Sequence, residues 1–224
     1  EEQVKDFLDF IRVERGYSSN TASAYEHDLQ QFFLFAKKKN EALDRQLVKN
    51  YLEHLYDHGF GVSSAERKLA CLKSFFHYLV REGRLNDDPT TDIKLPKKAK
   101  RLPKALSISE TIKLVASPRE RDFLSLRNAA LLELLYASGM RASEVVSLNL
   151  NDINFSVSFV KCLGKGSKER IVPLNQSALK AIKVYLEKGR PDFPQHNKEA
   201  LFLDKNGERL SRQGLWLVIK KYVK

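Results

Sequence analysis

A proline-containing stretch in the middle of the chain limits its fold more than any other feature. The residues NDDPTTDIKLPKKAKRLPKAL, 86–106, contain Pro89, Pro96 and Pro103. Each proline fixes its own φ angle and lacks an N–H group, so no continuous helix can run through this stretch. Helical periodicity is present on both sides of it. We therefore predict two domains, 1–86 and 106–224, joined by a linker at 87–105.

The linker is also strongly basic, and its charge indicates a partner. A solvated tether needs no cations, whereas a strap across a phosphate backbone does. The whole chain has 39 Lys and Arg against 28 Asp and Glu, a formal net charge of +11. These basic residues are spread over helices and loops rather than along one helix face, which favours duplex nucleic acid over a membrane surface. The linker residues that we expect to contact phosphates are Lys97, Lys98, Lys100 and Arg101.

The first domain is predicted to be a compact bundle of four helices. Apolar residues recur at helical spacing in four consecutive segments separated by short connections. Ser19 or Asn20 is expected to cap the second helix, and the fourth is expected to start after Ser63 or Ser64.

The second domain is predicted to be mixed, mainly helical with a small antiparallel sheet. Ser107 and Glu110 form a capping box, and two helices follow. In SFVKCLGKGSKERIVPL, 158–174, two apolar runs flank a turn, which indicates a β-hairpin. The remaining predicted elements are a helix at 176–188, a strand at 201–203 and a helix capped by Ser211. The predicted fold class of the whole chain is therefore mainly α.

The segment YASGMRASEVVSL, 136–148, ends one apolar helix and starts another. Gly139 can end the first helix in a left-handed conformation. Arg141 follows at the break, and Glu144 lies one turn further on. This pattern is compatible with a surface salt bridge at a helix start, or with an arginine that a rigid core presents to a ligand.

The predicted hairpin tip, GKGSK at 164–168, carries Lys165 between two glycines. It is not the phosphate loop of nucleotide hydrolases, which needs Gly, four residues and then Gly-Lys-Ser/Thr at the start of a helix. The tip is either a solvated turn or a loop that lets an ammonium group approach a groove closely.

Together these segments resemble the tyrosine recombinases, in particular their Xer group. YASGMRASEVVSLNLNDI, followed 24 positions after Arg141 by Lys165 in GKGSKERIVPL, is similar to their catalytic domain. YSSNTASAYEHDLQQFFLFA, SSAERKLACLKSFFHYLVREG and the basic linker resemble their N-terminal core-binding, SAM-like domain, and LSRQGLWLVIKKYVK resembles a later helix of the catalytic domain. The resemblance covers nearly all of the chain.

The resemblance implies a DNA strand-exchange enzyme that uses no metal, no ATP and no other cofactor. In this family a tyrosine attacks a phosphodiester, which forms a 3′-phosphotyrosyl link and releases a 5′-hydroxyl. Arg141 matches the arginine that binds the non-bridging oxygens, where a guanidinium forks onto two oxygens and stays protonated. Lys165 matches the lysine that donates a proton to the leaving 5′-oxygen. Glu144 would orient the guanidinium of Arg141.

One part of the family pattern has no counterpart here. None of the five histidines is followed three residues later by arginine, and none of the eight tyrosines lies in the context of the nucleophile. On the family pattern, roughly a quarter of the protein is missing on the C-terminal side. The sequence therefore predicts a truncated chain that binds DNA without cleaving it.

The predicted DNA contacts outside the linker are surface positions, several of them near helix starts. Helix N-termini suit phosphate because amide N–H groups and side chains can both donate to it. The predicted contacts are Thr21, Tyr25, Arg67, Lys73, Lys168, Arg212 and Gln213. Each of them is equally compatible with an ordinary solvated side chain.

Two other functions remain open at this stage. A non-catalytic duplex-binding regulator would explain the charge and the linker, though not the pairing of Arg141 with Lys165. A phage or transposon integrase would share the chemistry, whereas an Xer role would be the resolution of chromosome or plasmid dimers. The expected partners are a duplex recombination site and further protomers in a tetramer on two DNA sites, with a DNA translocase as a candidate activator.

The cysteines indicate a cytoplasmic protein, which the expected DNA binding would make nucleoid-associated, and the cysteines and histidines together indicate no metal site. Cys71 and Cys162 lie among apolar neighbours and are expected to be buried, reduced thiols. The five histidines are scattered, and no Cys/His cluster has metal-ligand spacing.

Overall fold

The computed structural model describes residues 2–39, 42–95, 105–119, 122–164, 169–194 and 196–223. The chain divides into two compact units, Glu1–Leu102 and Pro103–Lys224. Over these residues the fold is mainly helical with one small antiparallel sheet, as the sequence predicts. Lys97, Lys98, Lys100 and Arg101 of the predicted strap lie outside the described residues, as do Lys165 and Lys168 of the hairpin tip.

In its described residues the first unit contains four helices whose apolar faces meet in one aromatic core. They are α1 (Glu2–Val13), α2 (Ser19–Lys39), α3 (Arg45–Asp57) and α4 (Val62–Arg81). Phe32 is fully buried and makes edge-to-face contacts with Tyr51 and Phe76, at ring-centroid distances of 5.2 and 5.9 Å. Such contacts favour a single packing arrangement of the three helices that carry these rings.

Two helix starts in this unit differ from the predicted ones by one to three residues. α2 begins at Ser19, and the hydroxyl of Ser18 rather than Asn20 accepts the N–H of Thr21, at 3.3 Å. α4 begins at Val62 after an extended Gly61, which has no side chain for capping. Where neighbouring residues could each cap a helix, the sequence alone does not determine which residue is the first of the helix.

The second unit has a hydrophobic core of its own. Its helices are α5 (Ile108–Val115), α6 (Phe123–Ser138), α7 (Ala142–Ser147), α8 (Gln176–Val184) and α9 (Arg212–Tyr222). The strands β1 (Ile153–Asn154), β2 (Phe159–Leu163) and β3 (Glu169–Pro173) pair antiparallel in the order β1-β2-β3. The last pair of the hairpin ladder is Leu163 with Glu169, directly before the tip.

Two predicted elements of this unit have a different form. The helix predicted at 176–188 is regular only to Val184, and continues as a π turn, Tyr185–Gly189. The strand predicted at 201–203 is instead a buried loop, with an isolated bridge between Leu203 and Arg209. Its three apolar residues are fully buried, and Leu201 N–H donates to the carbonyl of Leu148 at 2.9 Å. A short apolar run predicts burial, but it does not separate a strand from a loop threaded through the core.

Both cysteines are buried free thiols. Burial raises the pKa of the Cys71 thiol far above its ordinary value. A thiol held neutral in an apolar core is a structural residue.

An arginine is buried on α6 without a carboxylate in hydrogen-bonding contact, within the ranges described. Arg127 is 6% exposed and donates through Nε and Nη2 to Oδ1 of Asn128, at 3.1 and 2.8 Å, and through Nη1 to the carbonyl of Leu203. Burial lowers the pKa of Arg127, so the buried cation carries a desolvation cost. The side chain of Asn128 also donates to the hydroxyl of Tyr222, which ties α6 to α9.

Asn128→Asp is expected to stabilise the second unit at neutral pH by about 1 kcal/mol, because hydrogen bonds to charged groups exceed neutral ones by about that amount. The urea midpoint of unfolding measures this gain, which should fade as acid protonates the new carboxylate. Asn151→Asp, at an exposed position of the same unit, is the control and should leave the midpoint nearly unchanged. A lower midpoint for Asn128→Asp would show that desolvation of the carboxylate outweighs the ion pair.

Candidate active site

The break between α6 and α7 places Arg141 at the start of a helix that is anchored on both sides. Gly139 ends α6 in the left-handed conformation, with φ +58°, and its N–H donates to the carbonyl of Leu135 at 3.0 Å. Met140, before the arginine, is 5% exposed, and Val145, after it, is fully buried. The backbone of Arg141 therefore has little freedom, although its side chain is 70% exposed.

Glu144 holds Arg141 through two hydrogen bonds. The backbone N–H of Arg141 donates to Oε2 at 2.7 Å, which is the reach-back bond of a helix-capping glutamate. The guanidinium donates through Nη1 to Oε1 at 3.1 Å. Since the remaining guanidinium donors are on Nε, Nη1 and Nη2, the fork is still able to bind a second anion.

Arg170, on β3, completes this cluster from a different element. Its Nη2 donates to Oε2 of Glu144 at 2.8 Å, and its side chain is 42% exposed. Glu144 itself is 4% exposed. A buried carboxylate between two arginines leaves a net positive charge at the surface, which suits an anionic ligand.

Competing effects act on the ionisation of Glu144. Burial acts to raise its pKa, but hydrogen bonds from Arg141 and the charges of Arg170 and Arg141 outweigh burial, so the pKa of Glu144 is below its ordinary value. The carboxylate is therefore ionised at neutral pH. Its contribution to stability is present above the unfolded-state pKa and is lost only as the pH falls through the lower folded-state value.

The C-terminal end of α7 is held by Arg209, a residue to which sequence reasoning gave no role. Its Nη1 donates to the carbonyls of Val146 and Leu148, at 3.1 and 2.9 Å, and its Nη2 donates to Oδ1 of Asn149 at 2.6 Å. These carbonyls are helix-end acceptors that have no partner within the helix. Arg209 and Glu144 thus secure the two ends of the short helix that presents Arg141.

Of the predicted catalytic residues, the structure brings together Arg141 and Glu144. It adds Arg170, to which sequence reasoning gave no role. The available signal was its place in GKGSKER: the hairpin that carries Lys165 also carries Arg170 five residues later. Because Lys165 lies outside the described residues, its proposed role remains a prediction.

The predicted DNA contacts fall into several local environments. Thr21 is half-buried, and its hydroxyl lies 2.9 Å from that of Ser18. Tyr25 is also half-buried, and Arg67 forms an ion pair with Asp28. Lys73 on α4 and Arg212 and Gln213 in the first turn of α9 are exposed. Contact with DNA remains a prediction for all of these residues.

None of the helices in the described ranges combines the length and apolar character that crossing a membrane demands. Within the same ranges, no group of three or more His, Cys, Asp or Glu side chains is arranged to hold a metal ion.

Two protein families match the two parts of the chain. The phage integrase family matches residues 104–224, and the phage integrase N-terminal SAM-like domain matches residues 4–83. Tyrosine recombinase XerD of Halalkalibacterium halodurans is 43% identical over 227 residues, covering 99% of this chain and 76% of that protein. Tyrosine recombinase XerD of Listeria monocytogenes is 38% identical over 228 residues, covering 99% and 77%.

Solved structures support the fold. XerH recombinase bound to a palindromic difH substrate is similar with a TM-score of 0.67 at 19% identity, covering 98% of this chain and 67% of that chain. A lambda integrase tetramer bound to a Holliday junction is similar with a TM-score of 0.69 at 16% identity, covering 99% and 64%. The matches to both families and to relatives of 38% and 43% identity confirm the resemblance noted in the sequence. This chain belongs to the phage integrase family of tyrosine recombinases.

Proposed function

We propose that this chain is part of a site-specific recombinase of the Xer type, which cuts and rejoins duplex DNA to resolve chromosome or plasmid dimers. The observation that carries the proposal is the clamp on Arg141: a buried, ionised Glu144 holds an exposed guanidinium at the start of a rigid helix. The sequence identity of 43% and 38% with two XerD proteins favours the Xer role over that of a mobile-element integrase.

In the proposed reaction, Arg141 binds the non-bridging oxygens of the scissile phosphate. A tyrosine oxygen attacks the phosphorus, the bond to the 5′-oxygen breaks, and Lys165 passes a proton to that oxygen as it leaves. Glu144 and Arg170 act as positioning residues, because Glu144 holds the guanidinium of Arg141 in place before charge develops on the phosphate, and Arg170 holds Glu144. Pre-arranged donors of this kind need no reorganisation during the reaction.

The proposed partners are a duplex recombination site and further protomers, assembled as a tetramer on two DNA sites, with a DNA translocase as activator. Support comes from the net charge of +11 and from the DNA-bound state of the similar XerH and lambda integrase structures. We propose that both domains bind the duplex, in a nucleoid-associated protein of the cytoplasm.

We further propose that the 224-residue chain binds duplex DNA but does not cleave it. The test is a nicked suicide substrate that traps any covalent protein–DNA adduct. The chain should shift this duplex in a gel and form no adduct. With the C-terminal segment of a XerD recombinase appended, it should form a 3′-linked adduct. An adduct formed by the 224-residue chain would contradict the binding-only proposal, and failure to shift any duplex would contradict the proposed function itself.

Replacing the four basic linker residues with Ala is expected to weaken binding to all duplex sequences alike. Phosphate contacts position a protein on DNA but carry no sequence information. If each residue contacts one phosphate, the slope of log affinity against log salt should become shallower by about 0.9 per residue. The residues to replace are Lys97, Lys98, Lys100 and Arg101.

A matched control replaces the exposed lysines 37–39 at the end of α2, which removes a similar charge outside the linker. The control should change affinity much less than the linker variant does. Titration of a recombination site and of an unrelated duplex measures both effects. Loss of selectivity at unchanged non-specific affinity would contradict a phosphate-binding strap.

A further inference from the structure

A buried charge cluster lies in the first unit, apart from the catalytic residues. Asp28 of α2 is 1% exposed, and Lys68 of α4 is 3% exposed. Lys68 Nζ donates to Oδ1 of Asp28 at 2.8 Å and also to the side-chain oxygen of Gln31. A buried carboxylate needs a partner charge, and Lys68 already supplies one.

Arg67 is a second cation on the same carboxylate. Its Nη1 donates to the other oxygen, Oδ2 of Asp28, yet its side chain is 46% exposed. The cluster thus contains one buried anion, one buried cation and one cation at the surface. Lys68 already balances the charge of Asp28, so the cluster as a whole has one excess positive charge. Arg67 carries this charge at the surface, and the buried carboxylate of Asp28 holds it in position.

The neighbourhood of Arg67 includes another predicted DNA contact. Tyr25 lies one turn before Asp28 on α2, and its backbone carbonyl lies 3.5 Å from the thiol of Cys71 on α4. Burial raises the pKa of the Tyr25 hydroxyl. The contacts of Tyr25 with Cys71 and of Asp28 with Arg67 thus lie one helical turn apart along α2.

We propose that Asp28 is a positioning residue for DNA binding, which, supported by Lys68, holds the guanidinium of Arg67 in the orientation that binds a backbone phosphate. Only one end of the guanidinium is used by Asp28, so the fork retains donors for a phosphate oxygen. Because Asp28 already restricts the Arg67 side chain in the folded protein, that side chain loses less conformational freedom when DNA binds. This inference rests on the proposed function, because it assumes that the first unit contacts duplex DNA.

Whether Asp28→Asn weakens or tightens DNA binding separates a positioning role from a purely electrostatic one. Asp28→Asn makes the chain more positive by one charge, so a purely electrostatic role predicts tighter binding to DNA. Positioning predicts weaker binding despite the gain in positive charge. Glu26→Gln, on the same helix, changes the charge equally and is the matched control. It should leave affinity unchanged or tighten it slightly.

Asp28→Asn leaves Lys68 without its carboxylate, which can prevent folding. The double variant Asp28→Asn with Lys68→Met removes the buried pair together and leaves the net charge of the chain unchanged. Methionine suits the site because its flexible side chain fills irregular space. Arg67→Ala and the triple variant complete a cycle in which circular dichroism checks folding and duplex titrations at several salt concentrations measure affinity.

Arg67→Ala should weaken duplex binding about tenfold and make the salt slope shallower by about 0.9. The double variant should lose most of the same affinity, and the triple variant should bind no worse than Arg67→Ala. Arg67→Lys, which keeps the positive charge and leaves Asp28 and Lys68 in place, should also bind weakly, because an ammonium cannot fork between carboxylate and phosphate.

Wild-type affinity in the folded double variant, or in Arg67→Lys, would overturn the positioning role. If Arg67→Ala binds like the wild type while the chain still binds duplex, Arg67 contacts no phosphate and the inference fails, but the proposed function stands. If the unaltered chain binds no duplex, the proposed function fails and the inference fails with it.

Discussion

Raising the salt concentration from about 50 mM to about 200 mM is expected to weaken duplex binding by this chain about 10³–10⁵-fold. This range corresponds to roughly 6–10 phosphate contacts, each of which releases a counterion from the DNA. The net charge of +11, the basic linker and the exposed cations on α4 and α9 make that number of contacts attainable. Fluorescence anisotropy with a labelled duplex, titrated at five or more salt concentrations, gives the slope directly.

The control for this measurement exchanges chloride for glutamate at constant cation concentration, which separates cation release from effects of the anion on the protein. A slope near zero would mean that few phosphates are contacted, and it would contradict binding through both domains. The salt slope of the linker variant is measured in the same buffers. The difference between its slope and that of the unaltered chain gives the number of phosphate contacts made by the linker, and the remaining slope gives those made by the two folded units.

Arg141→Ala is expected to slow DNA cleavage about 10²–10³-fold in a chain that carries the nucleophile-bearing segment of a XerD recombinase. The magnitude is the usual loss for one donor that stabilises charge in the transition state. Arg141→Lys should recover little of it, because an ammonium group does not fork onto two oxygens. Single-turnover cleavage of the suicide substrate, with enzyme in excess, measures the rate of the chemical step.

Lys165→Ala should also slow cleavage in that protein, but through a different atom. If Lys165 protonates the leaving 5′-oxygen, a substrate with sulfur at the bridging 5′ position should restore the rate, since a thiolate leaves without a proton. The same substrate should not rescue Arg141→Ala, whose charge acts on the non-bridging oxygens. Equal rescue of both variants would contradict this division of roles.

Local sequence patterns predicted the elements of the first unit because the signals for helices lie within one or two turns. The four helices are located where apolar periodicity indicated, and the errors are confined to the starts of α2 and α4. Gly139 shows the same principle in the second unit. Its left-handed conformation depends on its own lack of a side chain and on one hydrogen bond to Leu135.

The predictions failed where an apolar run was buried by distant parts of the chain. Residues 201–203 have the composition of a short strand, yet their backbone bonds go to Leu148 and Leu210 from an irregular loop. Gly207 helps to determine this loop, because it has φ +80° and a Cβ there would lie 1.9 Å from the carbonyl oxygen of Pro194. Composition predicts that such a run is inside, but the form it takes depends on what surrounds it.

By itself the sequence determined the fold class, the helix break and the pairing of Arg141 with Glu144, because those two residues are one helical turn apart. Only the tertiary structure decided which distant residues complete each cluster. Arg170 reaches Glu144 across 26 residues, Lys68 reaches Asp28 across 40, and Arg209 holds the end of α7 across 60 or more. Arginine and lysine are common on any basic surface, so their positions in the sequence do not show which carboxylate each of them reaches. The partner that each buried carboxylate receives is set by how the elements pack, since a buried charge requires a cation wherever the fold brings one within reach.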